Sequence, residues 1–175
     1  ALVAPGDELA VAKKAGKLAN LVGELDAHPL PLATAAIGHT RWATHCGPTD
    51  ANAHPHVAGR VAVIHNGIVE NFASLKAELL ADGAVFLSET DTEVVAHLVA
   101  RAYEGSKDLT AALTSIARRL EGTFTILAVH ADVPDTVVGA RHDSPLVVGL
   151  GDCENFLGSA VAAFIGSPRS ALELD

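Results

Sequence analysis

Four stretches of the chain carry apolar residues three and four positions apart, which is the spacing of one face of an α-helix. These apolar positions are Leu18, Leu21, Val22 and Leu25; Ile68, Phe72, Leu75 and Leu79; Val94, Val95, Leu98 and Val99; and Leu109, Leu113, Ile116 and Leu120. Pro29 and Pro31 end the first predicted helix, because proline has no N–H to donate. Thr90 and Glu93 have the spacing of a capping box at the start of the third helix, and Asp108 stands where an N-cap residue would begin the fourth.

Shorter apolar runs predict β-strands. One pair of short strands is expected around a Pro-Gly-Asp turn in residues 2–15. Further apolar runs lie at 35–42, 61–67, 85–88, 123–131, 136–142, 145–151 and 154–159. Several of these runs are apolar on both faces, which indicates sheets that are covered on both sides. The pattern therefore predicts a single α/β domain with helices layered on sheets.

Composition and charge narrow the possible functions. The chain has 175 residues, the length of one domain, and 49% of them are hydrophobic, which excludes a disordered chain. The formal net charge of −9 offers no cationic surface to nucleic acid or to an anionic membrane. Two cysteines are too few for a disulfide framework and no run is long enough to span a membrane, so we expect a cytoplasmic protein. Because the chain begins with Ala1 and lacks methionine, we expect a processed protein or part of a longer one.

The candidate chemistry is concentrated in a short part of the chain. Five of the nine histidines fall between residues 39 and 65, within the motifs HTRWATH (39–45), NAHPH (52–56) and HNG (65–67). A polar segment rich in Gly, Pro, Asn and Asp joins the first two motifs, and it predicts a long loop. Long loops in compact domains are often functional, so we expect a site here.

Two catalytic interpretations of these residues are weak. His54 and His56 have the spacing of two metal ligands on a strand, with His39, His45 or Asp91 available to complete the set. Because the chain has neither a cysteine pair nor an HExxH spacing, histidines bonded to loop carbonyls are the favoured alternative. Cys46 follows His45, but thiol activation needs a base placed in space rather than in sequence, so a structural thiol is favoured. Cys153 is a weaker candidate still.

Two other interpretations concern substrate binding and remain open from the residues alone. Arg41 is suited to a bidentate grip on a carboxylate and Asp91 to an ammonium, but each could serve only as a structural ion pair or a helix N-terminal residue. Asn66 and Gly67 follow an apolar strand, and such a pair usually forms a tight turn. The same pair offers a side-chain amide and a backbone N–H, the groups that an oxyanion hole needs.

Taken in order, four long motifs resemble the glutaminase domain of the glutamine–fructose-6-phosphate aminotransferase family, also called glucosamine-6-phosphate synthases. These motifs are HTRWATH, NAHPH, HNGIVEN and SETDTEVVAHLV, and RLEGTFTILAV, RHDSPLVVGLG and ENFLGS follow in family order. The resemblance runs from about Ala10 to the end of the chain. It implies that residues 1–175 form one glutaminase-type domain of an N-terminal-nucleophile amidotransferase.

The resemblance also implies a fold and an activity. The fold is α+β, with two stacked antiparallel sheets between helical layers (αββα), here without its first strands. The activity is hydrolysis of L-glutamine to L-glutamate and ammonia, and it needs no metal or other cofactor. Sugar-phosphate isomerase domains of the same enzyme would use the ammonia to convert fructose 6-phosphate to glucosamine 6-phosphate. The resemblance is also compatible with a homodimer.

Residue roles follow from the same resemblance, motif by motif. Arg41, helped by Thr44 and His45, would bind the glutamine α-carboxylate, and Asp91 would bind the α-ammonium. Asn66 and Gly67 would form the oxyanion hole. Trp42 would lie near the ammonia exit, and His54 would support the site.

The chain departs from the family pattern in several places. The family nucleophile is an N-terminal cysteine, whereas Ala1 matches a point well inside the family domain. Cys46 stands where the family has glycine, and Ala160 stands where it has aspartate. The isomerase domains also lie outside these residues. We therefore expect the 175 residues alone not to hydrolyse glutamine, and a non-catalytic glutamine- or glutamate-binding module is the alternative function.

Overall fold

Antiparallel sheets organise the chain. The computed structural model describes residues 2–3, 8–41, 46–164 and 170–174, and every strand pairing within these residues is antiparallel. Three of the helices come in a run between two strands of the central sheet rather than alternating with parallel strands. The fold is therefore α+β, as the resemblance implies, and the α/β class that the pattern alone predicted is wrong.

The elements follow one another in a simple order. They are β1 (Leu2–Val3), β2 (Leu9–Ala10), α1 (Leu18–Ala27), β3 (Ala35–Ala36), β4 (His56–Ala58), β5 (Val61–Val69), α2 (Phe72–Ala81), α3 (Asp91–Ser106), α4 (Leu109–Ala117), β6 (Gly122–His130), β7 (Val138–His142), β8 (Val147–Leu150), β9 (Asn155–Gly158), a 3₁₀ turn (Val161–Phe164) and β10 (Ser170–Glu173). The central sheet has the strand order β4-β5-β6-β7, and two smaller sheets have the orders β2-β1-β3 and β10-β8-β9.

The central sheet is buried on both faces because successive side chains of a strand point to opposite sides. Val61 and Val63 of β5 belong to the larger core, which packs against the helices α2, α3 and α4. Ala62 and Ile64, one position along, belong to a second core with Leu146, which precedes β8. The two cores hold β5 and β6 in place from both sides, as the apolar runs predicted.

The helix predictions are largely confirmed. Helices α1 to α4 form where the apolar spacing predicts them, and the Asp108 side chain accepts a hydrogen bond of 3.0 Å from the Ala111 N–H as an N-cap. Two details differ: Ile68 lies at the end of β5 rather than in α2, and Leu120 lies beyond α4. Helix α1 keeps no residue fully buried, and Leu18 is 66% exposed. None of the helices in the described ranges is long and apolar enough to cross a membrane.

The predicted strand at 85–88 does not form. The Leu87 and Ser88 N–H groups each donate a hydrogen bond of 2.7 Å to the Glu93 carboxylate, so they are not available to a neighbouring strand. Glu93 is thereby used differently from a capping box, and Thr90 makes no capping bond although it is the N-cap residue of α3. A side chain five and six positions further along decides the conformation of this segment. Strands β4 and β10 were not predicted: β4 begins at the end of the segment that was expected to be a loop, and all four residues of β10 are exposed.

Candidate functional site

One cavity gathers most of the predicted site residues. It has a volume of about 380 Å³ and lies where the second half of β5 meets the start of α3. Its lining includes five of the predicted residues, namely Arg41, His54, Asn66, Gly67 and Asp91. The other three, Trp42, Thr44 and His45, lie outside the described residues.

Asn66 and Gly67 do not form the tight turn that the residues alone favoured. Both lie inside β5, where Asn66 pairs with Thr125 and Gly67 with Phe124 of β6. Gly67 has a φ of +123°, which residues with a side chain rarely adopt. A Cβ atom there would overlap the Thr123 carbonyl oxygen and lie 2.8 Å from the Phe124 Cα atom. The strand therefore needs glycine at this position for the backbone of β5 to approach β6.

The Asn66 side chain is exposed to the cavity and has a defined partner. The Oδ1 atom of Asn66 lies 2.7 Å from the Nε2 atom of His39. His65 precedes Asn66 on the opposite face of β5 and is buried, with its Nδ1 atom 3.1 Å from the Thr92 Oγ1 atom. The alternation of β5 thus directs the Asn66 amide and the His65 imidazole to opposite faces of the strand, and both residues line the cavity.

Asp91 is the first residue of α3, and its carboxylate is held from the side of β5. The Val69 N–H donates a hydrogen bond of 2.9 Å to the Asp91 Oδ2 atom, and the His65 Nδ1 atom is 3.9 Å from the same oxygen. The side chain is 23% exposed. Asp91 therefore lies in the first turn of α3, where an acidic side chain is favoured, and forms part of the cavity wall.

Arg41 reaches the cavity from the segment after β3. Its Nη1 atom donates a hydrogen bond of 3.4 Å to the Gly47 carbonyl oxygen. The side chain is partly buried and lines the same cavity as Asp91. The Arg41 guanidinium and the Asp91 carboxylate therefore line a common space, together with Glu89.

A cluster of neutral imidazoles forms part of the cavity wall, where His39 and His54 line the cavity and His56 lies next to His54. The rings of His39 and His54 stack with their centroids 4.1 Å apart, and His56 meets the edge of His54 at 5.0 Å. Burial, followed by the electrostatic effect of the neighbouring His39 and His56, lowers the pKa of His54 to about 2. Burial also lowers the pKa of His56, to about 4. Within the described part of the chain, no group of three or more His, Cys, Asp and Glu side chains could hold a metal ion.

Residues that sequence reasoning missed hold the loops around the cavity. Asn52 is buried, and its side chain both accepts from the Glu89 N–H at 3.1 Å and donates to the Glu89 carboxylate at 3.3 Å. It thereby joins the loop before β4 to the segment before α3. The Lys13 ammonium donates to three carbonyl oxygens of the same loop, those of Ala51, Ala53 and Pro55. No sequence signal pointed to Lys13, since its partners lie about 40 residues away.

Glu93 anchors the other side of the cavity. Burial by itself raises the pKa of this carboxyl, but hydrogen bonds from Leu87 and Ser88 outweigh that effect and lower the pKa below its ordinary value. The Ser88 hydroxyl also donates to Glu93, at 2.6 Å. Thr90 bonds the Nε2 atom of His56 at 3.0 Å, so the segment is tied to β4 as well. The capping-box spacing was a usable signal for Glu93, although it predicted a different partner.

The neutral histidines make the stability of the domain depend on pH. In the unfolded chain a histidine binds a proton below about pH 6.5, whereas folded His54 and His56 stay neutral down to about pH 2 and pH 4. The contribution of these histidines to the free energy of unfolding is therefore fully present above pH 6.5, and it decreases as the pH falls towards the folded pKa values. Between pH 7 and pH 5 we expect the free energy of unfolding to fall by about 2 kcal/mol for each of these two histidines. Urea titrations at both pH values measure this fall.

Two variants separate this effect from other titrations. His56→Gln is expected to remove about 2 kcal/mol of the loss between pH 7 and pH 5. His28→Gln is the matched control, because the His28 side chain is 77% exposed, and it should leave the loss unchanged. Equal pH dependence in the wild type and His56→Gln would show that His56 is not held neutral.

Comparisons with known proteins are consistent with this geometry. A sequence model described as "Glutamine amidotransferase domain" matches residues 39–165. A relative from Streptomyces coelicolor is 65% identical over 168 residues, which cover 95% of this chain and 27% of the relative. A relative from Leifsonia xyli subsp. xyli is 58% identical over 176 residues, which cover 99% of this chain and 29% of the relative. Both are named glutamine–fructose-6-phosphate aminotransferase [isomerizing], and the chain spans less than a third of their length.

Two solved structures share the fold. The glutamine phosphoribosylpyrophosphate amidotransferase from B. subtilis, complexed with ADP and GMP, superposes with a TM-score of 0.61 at 27% identity over 74% of this chain and 29% of that chain. A structure described as the allosteric regulatory enzyme of purine biosynthesis gives a TM-score of 0.62 at 28% identity, with the same coverage of both chains. These similarities confirm the N-terminal-nucleophile hydrolase fold that the motifs implied.

Proposed function

Since this chain belongs to the glutamine amidotransferase domain family, we propose that its cavity binds L-glutamine and that residues 1–175 are the glutaminase-type domain of a glutamine–fructose-6-phosphate aminotransferase. The observation that carries this proposal is the single cavity lined by a guanidinium, a helix-terminal carboxylate and an Asn-Gly pair. An α-amino acid with a side-chain amide has one group for each of these three features.

The amino-acid end of the substrate is bound by opposite charges. Arg41 pairs with the α-carboxylate, because a guanidinium can donate two parallel hydrogen bonds to it. Asp91 pairs with the α-ammonium, and the bond from the Val69 N–H fixes the direction of its carboxylate. We also propose that Thr44 and His45 assist Arg41, and these two roles rest on the motif resemblance alone.

The amide end of the substrate lies at Asn66 and Gly67. When a thiolate attacks the side-chain amide carbon, the carbonyl oxygen gains negative charge, and the Asn66 amide and the Gly67 N–H stabilise it. In this proposal the attacking thiol belongs to the N-terminal cysteine of the full-length enzyme. His54 supports the site through the 3.0 Å contact between its Nε2 atom and the Thr92 hydroxyl, and Trp42 lies at the ammonia exit.

The rest of the reaction belongs to the longer enzyme. The two curated relatives carry the name of an isomerizing aminotransferase, which supports transfer of the released ammonia to fructose 6-phosphate in sugar-phosphate isomerase domains. The product is glucosamine 6-phosphate. The glutaminase half-reaction uses a thiol, hydrogen-bond donors and water, and needs no cofactor.

Cys46 and Cys153 are both free thiols, which supports a reducing compartment such as the cytoplasm.

The proposal is tested on the full-length protein. We expect it to release ammonia and L-glutamate from L-glutamine, and to form glucosamine 6-phosphate when fructose 6-phosphate is added. Arg41→Ala should weaken glutamine binding by about 100-fold or more, since it leaves the substrate carboxylate without its partner. Arg118→Ala is the matched control, because Arg118 is an exposed arginine beyond α4 and outside the cavity lining.

The alternative function gives a different result. A non-catalytic glutamine- or glutamate-binding module would bind either amino acid in calorimetry without releasing ammonia, and binding would still depend on Arg41. A full-length protein that neither binds nor hydrolyses glutamine would contradict both functions.

A further inference from the structure

We propose that His39 is a positioning residue for the oxyanion hole, because it holds the Asn66 side-chain amide with its N–H groups directed to the substrate. This inference rests on the proposed glutaminase function. It assigns a role to the first histidine of the HTRWATH motif, which the roles given above leave without one.

An asparagine in an oxyanion hole has to be held in one of two orientations. Its side chain ends in an oxygen that only accepts and a nitrogen that only donates, and a rotation by 180° exchanges them. With the nitrogen towards the substrate, the amide stabilises the oxyanion. With the oxygen there, it repels the developing charge. Asn66 is exposed at the cavity, so neighbouring side chains have to select the orientation.

The contact with His39 selects the productive orientation. The Nε2 atom of His39 lies 2.7 Å from the Oδ1 atom of Asn66, and that oxygen has no proton to donate. The proton is therefore on Nε2, which donates to Oδ1, and the amide nitrogen of Asn66 is left for the cavity. Burial lowers the pKa of His39, so the ring is neutral near pH 7 and carries its one N–H at this contact.

The His39 ring is itself held by contacts that lead away from β5. It stacks on His54 with 29° between the ring planes. The Nε2 atom of His54 lies 3.0 Å from the hydroxyl of Thr92, which is buried in the first turn of α3. His39 and His54 thereby connect the Asn66 side chain to the N-terminal turn of α3, which also carries Asp91. The two ends of the proposed glutamine site are thus aligned by one connected set of side chains.

Loss of this contact should affect the transition state more than the bound substrate. Oxyanion donors act when charge develops on the amide oxygen, so their loss lowers kcat and leaves KM nearly unchanged. Removing one such donor costs about 100- to 1000-fold in rate, and a free amide would still spend part of its time correctly oriented. We therefore expect His39→Phe, which retains a ring for stacking, to lower the glutaminase kcat by about 10- to 100-fold with glutamine KM within about 3-fold.

A matched pair of variants separates orientation from packing. The amide nitrogen of glutamine reaches as far along the side chain as the Nε2 atom of histidine, whereas that of asparagine reaches only as far as Nδ1. His39→Gln should therefore keep kcat within about 3-fold of wild type, and His39→Asn should lose about as much as His39→Phe. This pair also decides the question if His39→Phe does not fold.

A double-mutant cycle in the full-length enzyme completes the test. If His39 acts through Asn66, then adding His39→Phe to Asn66→Ala should lower kcat by less than 3-fold further, about the resolution of such cycles. Additive losses, or a kcat for His39→Asn equal to that of wild type, would overturn the inference while the wild type still hydrolyses glutamine. A wild-type enzyme without glutaminase activity would instead overturn the proposed function.

Discussion

Gly67→Ala is expected to destabilise the domain by about 3 to 5 kcal/mol and to abolish glutamine hydrolysis with it. Two costs add at this position. A φ of +123° is unfavourable for any residue with a Cβ atom, and the added methyl group would overlap the Thr123 carbonyl oxygen of β6. Because β5 and β6 are the two central strands, the overlap cannot be relieved without moving them apart. Urea unfolding of the variant measures the loss.

Gly59→Ala provides the matched control for Gly67→Ala. Gly59 has a positive φ of +55° in the hairpin between β4 and β5, but a Cβ atom there would meet nothing within 4 Å. Its replacement should therefore cost only the left-handed backbone strain, about 1 kcal/mol. Equal losses for the two variants would show that the close approach of β5 to β6 is not what requires Gly67.

Asp91→Asn is expected to raise the KM for L-glutamine by about 100-fold while the domain remains folded. Asparagine keeps a side-chain oxygen that can accept the bond from the Val69 N–H, so the link between α3 and β5 persists. It lacks the negative charge that pairs with the α-ammonium. Steady-state kinetics with the full-length enzyme measure the change, and Asp135→Asn, at an exposed aspartate outside the cavity lining, is the matched control.

A substrate analogue isolates the ammonium contact. Glutaric acid monoamide has the carboxylate and the amide of glutamine but lacks the α-amino group. The wild type should prefer glutamine over this analogue by about 100-fold, and Asp91→Asn should lose most of that preference. If Asp91→Asn still prefers glutamine as strongly as the wild type, then the α-ammonium is bound by another residue.

The helices could be predicted because their signals are local. Apolar residues three and four positions apart give a helix one apolar face. The apolar face of α3 is buried in the core whichever elements pack against it, so this helix could be predicted without knowing those elements. Asp108 caps α4 through a residue only three positions away. Strands β5 and β6 of the central sheet are equally well signalled, because they are apolar on both faces.

Predictions failed where groups outside the predicted element compete for its backbone. Residues 85–88 have the composition of a strand, but the Glu93 carboxylate takes the Leu87 and Ser88 N–H groups. The Asn66-Gly67 pair has the composition of a turn, but β6 offers Gly67 a pairing partner more than 50 residues away, at Phe124. Local propensity is a weak preference in both cases, and a tertiary contact overrides it.

Arg41, Asn66 and Asp91, which line the cavity, could be named as candidates from the sequence, because each lies in a motif of the chain. What each of these side chains contacts follows from the tertiary structure. His39 and Asn66 are 27 positions apart, and no periodicity of the chain encodes their 2.7 Å contact. The spacing of residues along a helix or strand depends on the local backbone geometry. Hydrogen-bond partners between distant residues, burial and the resulting pKa values depend on which elements pack together around the two cores.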